Sequence, residues 1–197
     1  MDEREGRQLI RDWMQRWGGI ARITGRNARN LNPLIRVVDG ERRLELAWWW
    51  LHVNGAPAEF SAFNARDDTL TRAWAGPFAH RRAILPMSWY VEKKVRFQLP
   101  TEEIFGVAAI TTVSADARGA PLTSYAMVTR DAVGAAQRTH PRMPLILPRD
   151  MHDTWLDPER ASDADLVAQA TLASDELAHA VTSAGTGPPT LGADTLF

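Results

Sequence analysis

Apolar residues recur every three or four positions across residues 2–17. Leu9, Ile10, Trp13, Met14 and Trp17 share one face there, with arginines and acids around the rest. The spacing predicts an amphipathic helix, and Gly18-Gly19 stops it. A polar, turn-like stretch follows at 27–33. From residue 34 the period shortens. Runs at 34–38 and 43–51 flank Asp39-Gly40, the signature of a tight hairpin. Further strands are expected at 59–63, 83–85, 88–91, 95–99, 105–113 and 124–129, the last two joined through a turn at 116–121. Asp68 is placed to cap a helix that runs through Trp74 and ends at Gly76-Pro77. Later come a helix at 131–138, a strand at 145–147, a helix at 149–156 opened by Pro148, and a helix at 163–172. Strands fill the middle and short helices flank them. This predicts an α+β fold with a mostly antiparallel, curved or barrel-like sheet. One domain is expected over 1–183, and the Gly, Pro and Thr content of 184–197 predicts a flexible tail.

Composition changes the picture in one respect. The 197 residues include no cysteine. Disulfides, thiolate metal sites, iron–sulfur clusters and a cysteine nucleophile are therefore excluded for this polypeptide. His52, His80, His152 and His179 show no metal-ligand spacing, and no Walker loop, GxGxxG or GxSxG occurs, so neither metal nor cofactor is expected. The charged first fifteen residues do not resemble a signal peptide, and the longest apolar run, 46–51, is too short to span a bilayer. A soluble, cytoplasmic protein is expected. Charge is divided unevenly: residues 1–100 carry 17 Lys and Arg against 11 Asp and Glu, whereas residues 101–197 carry 6 against 13. The basic half fits a polyanion, and it equally fits attraction between two parts of one globule.

Three segments carry candidate chemistry. Asn64-Ala65-Arg66 ends a predicted strand; an amide both donates and accepts, and an arginine fork grips phosphate oxygens, although a polar turn reads the same way. Glu92 closes the apolar run that starts at Arg82. Apolar surroundings disfavour a carboxylate's charge and make it a proton donor near neutrality, whereas an exposed position beside Lys93 and Lys94 would not. In His140-Pro141-Arg142-Met143-Pro144, two prolines fix the backbone around an imidazole suited to proton transfer, or around a structural turn histidine. Trp48-Trp49-Trp50 alternates, which puts Trp49 on one face as a stacking platform or as core.

In this order and spacing, these segments resemble the SOS-response-associated peptidases, also described as abasic-site processing proteins. The similarity runs from about residue 30 to 182. Asn30-Leu31-Asn32-Pro33 resembles the family's Asn-x-Ala-Pro, with Asn32 in place of Ala. Asn64-Ala65-Arg66 matches Asn-Ala-Arg. Residues 82–92 follow R-C-L-I-P-A-x-G-[FY]-[YF]-E, departing at Ala83 and Trp89, and Lys93 replaces the tryptophan that follows. His140 to Pro144, Ile146-Leu147-Pro148 and Trp155-Leu156 match H-x-R-M-P-x-I-L-P and W-L closely. Trp49 resembles the Trp of Arg-Trp-Gly-Leu.

The resemblance implies chemistry on single-stranded DNA. In the family an N-terminal cysteine, exposed by removal of Met, joins the aldehyde of an abasic site as a thiazolidine. By similarity Glu92 would be the acid/base, His140 would assist proton transfer, Asn64 would position the sugar, Arg66 and Arg142 would hold phosphates, and Trp49 would face the DNA. The expected partner is single-stranded DNA bound by a monomer. The family opens Met-Cys-Gly-Arg, whereas this sequence opens Met1-Asp2-Glu3-Arg4. Asp2 should keep Met1 in place, so thiazolidine formation is lost. Either a Met-Cys-Gly-Arg start precedes these residues or this member has diverged, and Trp50, Trp89 and Lys93 favour divergence. Two outcomes follow from divergence: imine and elimination chemistry from the Met1 amine with Glu92 and His140, or a binder without catalysis.

Overall fold

The computed structural model describes residues 3–188. It opens with the expected amphipathic helix, α1 (Glu3–Trp17). Next come β1 (Leu31–Val38), β2 (Glu41–Trp48), the short pair β3 (His52–Val53) and β4 (Ala56–Pro57), and β5 (Asn64–Arg66). The helix α2 (Ala75–His80) leads into β6 (Arg82–Met87), β7 (Trp89–Glu92), β8 (Val95–Gln98), β9 (Phe105–Ala115) and β10 (Pro121–Asp131). The described residues finish with α3 (Gly134–Gln137), β11 (Arg142–Pro144), β12 (Ile146–Leu147), α4 (Met151–Leu156), α5 (Ala164–Ala180) and β13 (Thr182–Thr186). No helix among the described residues is long and apolar enough to cross a membrane.

The main sheet closes on itself. β10 pairs with β2, β2 with β1, β1 with β6, β6 with β9, and β9 again with β10. Closure removes the open edges that a five-stranded sheet would otherwise expose. All these pairings are antiparallel except β2–β10, which run parallel with Ser124 opposite Trp48. The α+β, barrel-like expectation is thus met. Residues alternate between two buried clusters. Leu34, Ala83, Leu85, Val107, Tyr125 and Met127 belong to one. Ile84, Ala108, Ile110 and Val128 belong to the other, together with Phe78, Trp155 and Leu166 from α2, α4 and α5. Strands buried on both faces explain why their sequences read as nearly continuous apolar runs.

Arg82 ties the helices to the barrel. It is 4% exposed and its donors are taken by backbone oxygens of Trp155 at 2.6 Å, Phe78 at 3.0 Å, Ala79 at 3.2 Å and Arg160 at 3.1 Å. Ser162 Oγ and the Asp157 carbonyl complete the cage. Burial lowers the Arg82 pKa from its usual value, with nearby Asp157 acting the other way. Carbonyl dipoles and hydrogen bonds replace the water that the guanidinium has lost.

Several sequence expectations are corrected. The strand expected over 43–51 ends at Trp48, because Trp50 N–H turns back to the Trp48 carbonyl at 2.8 Å. Trp48 and Trp50 still pack together, away from Trp49. No strand forms over 59–63; β5 begins at Asn64 instead. Asp68 lies in a single 3-10 turn, and Gly76-Pro77 starts α2 rather than ending a helix. Pro77 sits in the first helical turn, where its missing N–H has no helical partner to lose. α5 runs to Ala180 rather than stopping at Leu172. Asp163 caps its start by accepting from Leu166 N–H at 2.9 Å. The boundary expected at 184 falls inside β13, which pairs with β8. Residues 189–197 of the expected tail lie outside the described residues.

Candidate functional site

One cleft of about 540 Å³ gathers residues from distant parts of the chain. Trp13 of α1 and residues 20–23 form one side. Asn32 comes from β1, Trp49 directly follows β2, and Asn64 opens β5. Trp89, Tyr90 and Glu92 come from β7, and His140 and Arg142 lead into and open β11. Asn64, Glu92, His140, Arg142 and Trp49 therefore share one cavity. Arg66 does not line it.

The barrel strands fix this arrangement. β5 lies parallel to β10 with Asn64 opposite Met127. β11 lies antiparallel on the same stretch of β10, with Arg142 opposite Asp131. One strand thus carries both the amide and the basic segment to the cleft. β7 follows directly from β6, which pairs with β9. By strand alternation Tyr90 and Glu92 point to the same side. The Tyr90 hydroxyl is buried without a partner among the described residues. Burial, and then the charge of Glu92, push its pKa above the usual tyrosine value.

Glu92 is half-buried and occupies the end of the β7–β8 hairpin. Its turn consists of Lys93 at φ 46° and Lys94 at φ 71°. The tight turns of β1–β2 and β3–β4 put Asp39-Gly40 and Asn54-Gly55 in the same left-handed region, where Asn, Asp and Gly are at ease. Two lysines there carry backbone strain directly after Glu92.

His140 is held through its own backbone and that of Arg142. Its N–H donates to the Ala136 carbonyl at 3.1 Å. Its Nδ1 lies 3.2 Å from the Arg142 N–H and 3.0 Å from the Arg142 carbonyl. Arg142 is itself engaged: it donates to Asp67 and Asp131 at 2.6 Å each and to the Thr129 carbonyl. Asp67 is largely buried in this pair, whereas Asp131 is exposed. A phosphate approaching Arg142 therefore competes with two carboxylates. Arg66 is exposed and forked onto Asp68 through contacts of 2.9 and 2.6 Å. That pairing raises the pKa of Arg66 and holds that of Asp68 below the usual carboxylate value. Trp49 is anchored rather than free: its indole N–H donates to the Phe63 carbonyl at 2.8 Å, and its ring stacks on Tyr125 at 5.9 Å.

Sequence reasoning overlooked Asn32. It is fully buried and lines the cleft. Its signal was present as the substitution of Asn for Ala in the Asn-x-Ala-Pro pattern. The charge-meeting roles of Asp67 and Asp131 also went unread, since nothing local links them to Arg142.

With that geometry in place, the comparisons are consistent. Residues 23–184 match the model of the SOS response associated peptidase (SRAP) family. The chain belongs to this family. The abasic site processing protein YoaM of Bacillus subtilis (strain 168) is 28% identical over 150 residues, which span 68% of this chain and 66% of YoaM. Three crystal structures share the fold. A Bordetella bronchiseptica protein superposes with a TM-score of 0.65 at 19% identity, covering 91% of this chain and 97% of that one. A phage-related protein of the same organism gives 0.58 at 20% identity, covering 89% of each chain. A Bacteroides thetaiotaomicron protein gives 0.57 at 22% identity, covering 72% of this chain and 68% of that one.

The family match begins where the chain reads Ile23-Thr24-Gly25-Arg26. That stretch contains the same Gly-Arg pair as the Met-Cys-Gly-Arg opening of the family. α1 precedes the matched region, yet it contributes Trp13 to the cleft.

Proposed function

We propose that this protein binds single-stranded DNA at abasic sites in its cleft, in the response to DNA damage, and processes the lesion without a thiazolidine. The observation that carries this reading is the convergence of Asn64, Glu92, His140 and Arg142 on one cavity in a chain of this family. Its similarity to YoaM, an abasic site processing protein, adds support.

On this reading Thr24, which precedes Gly25-Arg26, takes the place of the family's cysteine, inside the chain and with its nitrogen in a peptide bond. A hydroxyl without an adjacent free amine cannot close the ring that a thiol and amine close together. What remains is acid–base chemistry. In an abasic site the sugar's aldehyde makes the neighbouring C2 proton removable. A base that takes it expels the 3′-phosphate by β-elimination, and an acid protonates the leaving oxygen. Glu92 and His140 are the groups in the cleft suited to these two transfers. Asn64 would orient the sugar, and Lys93 and Lys94, which follow Glu92 in the β7–β8 turn, would meet the strand's phosphates.

The test is to incubate the full chain with a single-stranded oligonucleotide carrying one abasic site. Salt-sensitive binding and strand scission are expected, with no heat-stable adduct. Scission should fall with Glu92→Gln or His140→Ala. A second reading, binding without catalysis, is favoured by the absence of cysteine from all 197 residues. Binding without scission, unchanged by Glu92→Gln, selects it. Absence of binding overturns both.

A further inference from the structure

Two amide oxygens of the cleft are buried and unpartnered among the described residues: Oδ1 of Asn32 and Oδ1 of Asn64. Asn32 has no exposed surface, yet it lines the cavity. Its Nδ2 donates to the Asn30 carbonyl at 3.3 Å. The opposite rotamer would set two oxygens against each other, so this contact fixes which end is nitrogen and leaves Oδ1 as the orphan. The same amide lies beside the Tyr125 hydroxyl. The Tyr125 ring stacks on Trp49, and Trp49 N–H bonds the carbonyl of Phe63, the residue before Asn64. One amide thus neighbours this aromatic stack, and the other follows in sequence the residue that anchors it.

A buried acceptor without a donor is costly to a folded chain, and native structures tolerate few of them. An amide oxygen with no proton of its own also refuses phosphate, which at neutral pH offers only acceptors. The partner it fits is a neutral N–H or O–H. We propose that Asn32 Oδ1, acting with Asn64 Oδ1, accepts a hydrogen bond from a donor on the nucleotide seated in the cleft, and so determines which nucleotide is preferred there. This rests on the strand-binding reading above. The donor's chemistry has two sources: a hydroxyl of the opened sugar or an N–H of a base.

Matched ligands separate the sources. Single-stranded oligonucleotides would differ at one nucleotide only. In the sugar pair, a borohydride-reduced abasic site carries a C1 hydroxyl and the tetrahydrofuran analogue lacks it. In the base pair, adenine carries an exocyclic N–H and unsubstituted purine lacks it. Binding to the full chain is followed by tryptophan fluorescence, since Trp13, Trp49 and Trp89 line the cleft. The wild type should favour the donor-bearing member of one pair by roughly tenfold, the scale of one neutral hydrogen bond. Asn32→Ala should lose that preference, whereas a merely structural role would weaken both members equally. Asn32→Leu, which keeps the volume and removes the acceptor, repeats the cycle should the alanine variant unfold. Equal affinities within both pairs for the wild type, or a preference that survives both variants, overturns the inference. Failure of every strand to bind overturns instead the reading on which it rests.

Discussion

Two arginines, Arg82 and Arg142, divide the molecule into a part built for stability and a part built for contact. Arg82 is caged by carbonyls and a hydroxyl contributed by α2, α4 and the segment before α5. Arg142 meets carboxylates instead, and its Nε is buried without a partner among the described residues. The same holds for Asn32 Oδ1, Asn64 Oδ1 and the Tyr90 hydroxyl, all on residues that line the same cleft. Satisfied polar groups hold the helices to the barrel, whereas four of the buried unpartnered atoms among the described residues sit on side chains that line the cleft. The difference separates a charged group that the fold satisfies completely from polar groups that it leaves without a partner.

The contrast breaks most visibly at the cage. Arg82→Met should cost roughly 3 kcal/mol or more in urea denaturation, because several buried carbonyls lose their donor at once. A loss below 1 kcal/mol would show that the cage is ornamental. At the cleft, His140→Ala should leave the unfolding midpoint nearly in place and slow scission of abasic DNA by roughly 100-fold, the lower end for general acid–base catalysis. Unchanged scission removes His140 from the chemistry. Asp131→Asn sharpens the contrast in the other direction. It lifts one exposed carboxylate from Arg142 and should tighten strand binding severalfold at low salt, with the gain fading at high salt as charges are screened. Weaker binding would mean that Asp131 serves by holding Arg142 in position. The smallest effect belongs to the β7–β8 turn: Lys93→Asn with Lys94→Gly should stabilise the chain by up to roughly 1 kcal/mol in thermal unfolding, by relieving left-handed strain. A destabilised double variant would locate the lysines' contribution in the fold itself.

The legible parts of the sequence were those with short-range causes. α1 follows from its apolar stripe, and the β1–β2 hairpin from Asp39-Gly40. The residues of the cleft were legible as segments, because motif order reflects the barrel that brings them together. What escaped depends on distance or on pairing. β13, Thr-Ser-Ala-Gly-Thr, has no alternating apolar pattern, and pairing with β8 alone makes it a strand. Gly76-Pro77 looks like a terminator because the same two residues also suit a helix start. Arg66 lies on the same side of β5 as Asn64, but one step further along it meets Asp68 instead of the cleft. Asn32 reads as an ordinary turn residue until barrel closure buries it.

Amide hydrogen exchange on the full chain, with and without a single-stranded oligonucleotide bearing an abasic site, tests the assignment of the cleft most directly. Protection should rise together in residues 63–66, 87–92 and 140–144 and remain unchanged around Arg42, Arg43 and His152 on β2 and α4, which line a separate cavity. Protection confined to that second cavity, or none at all with the oligonucleotide bound, would contradict it.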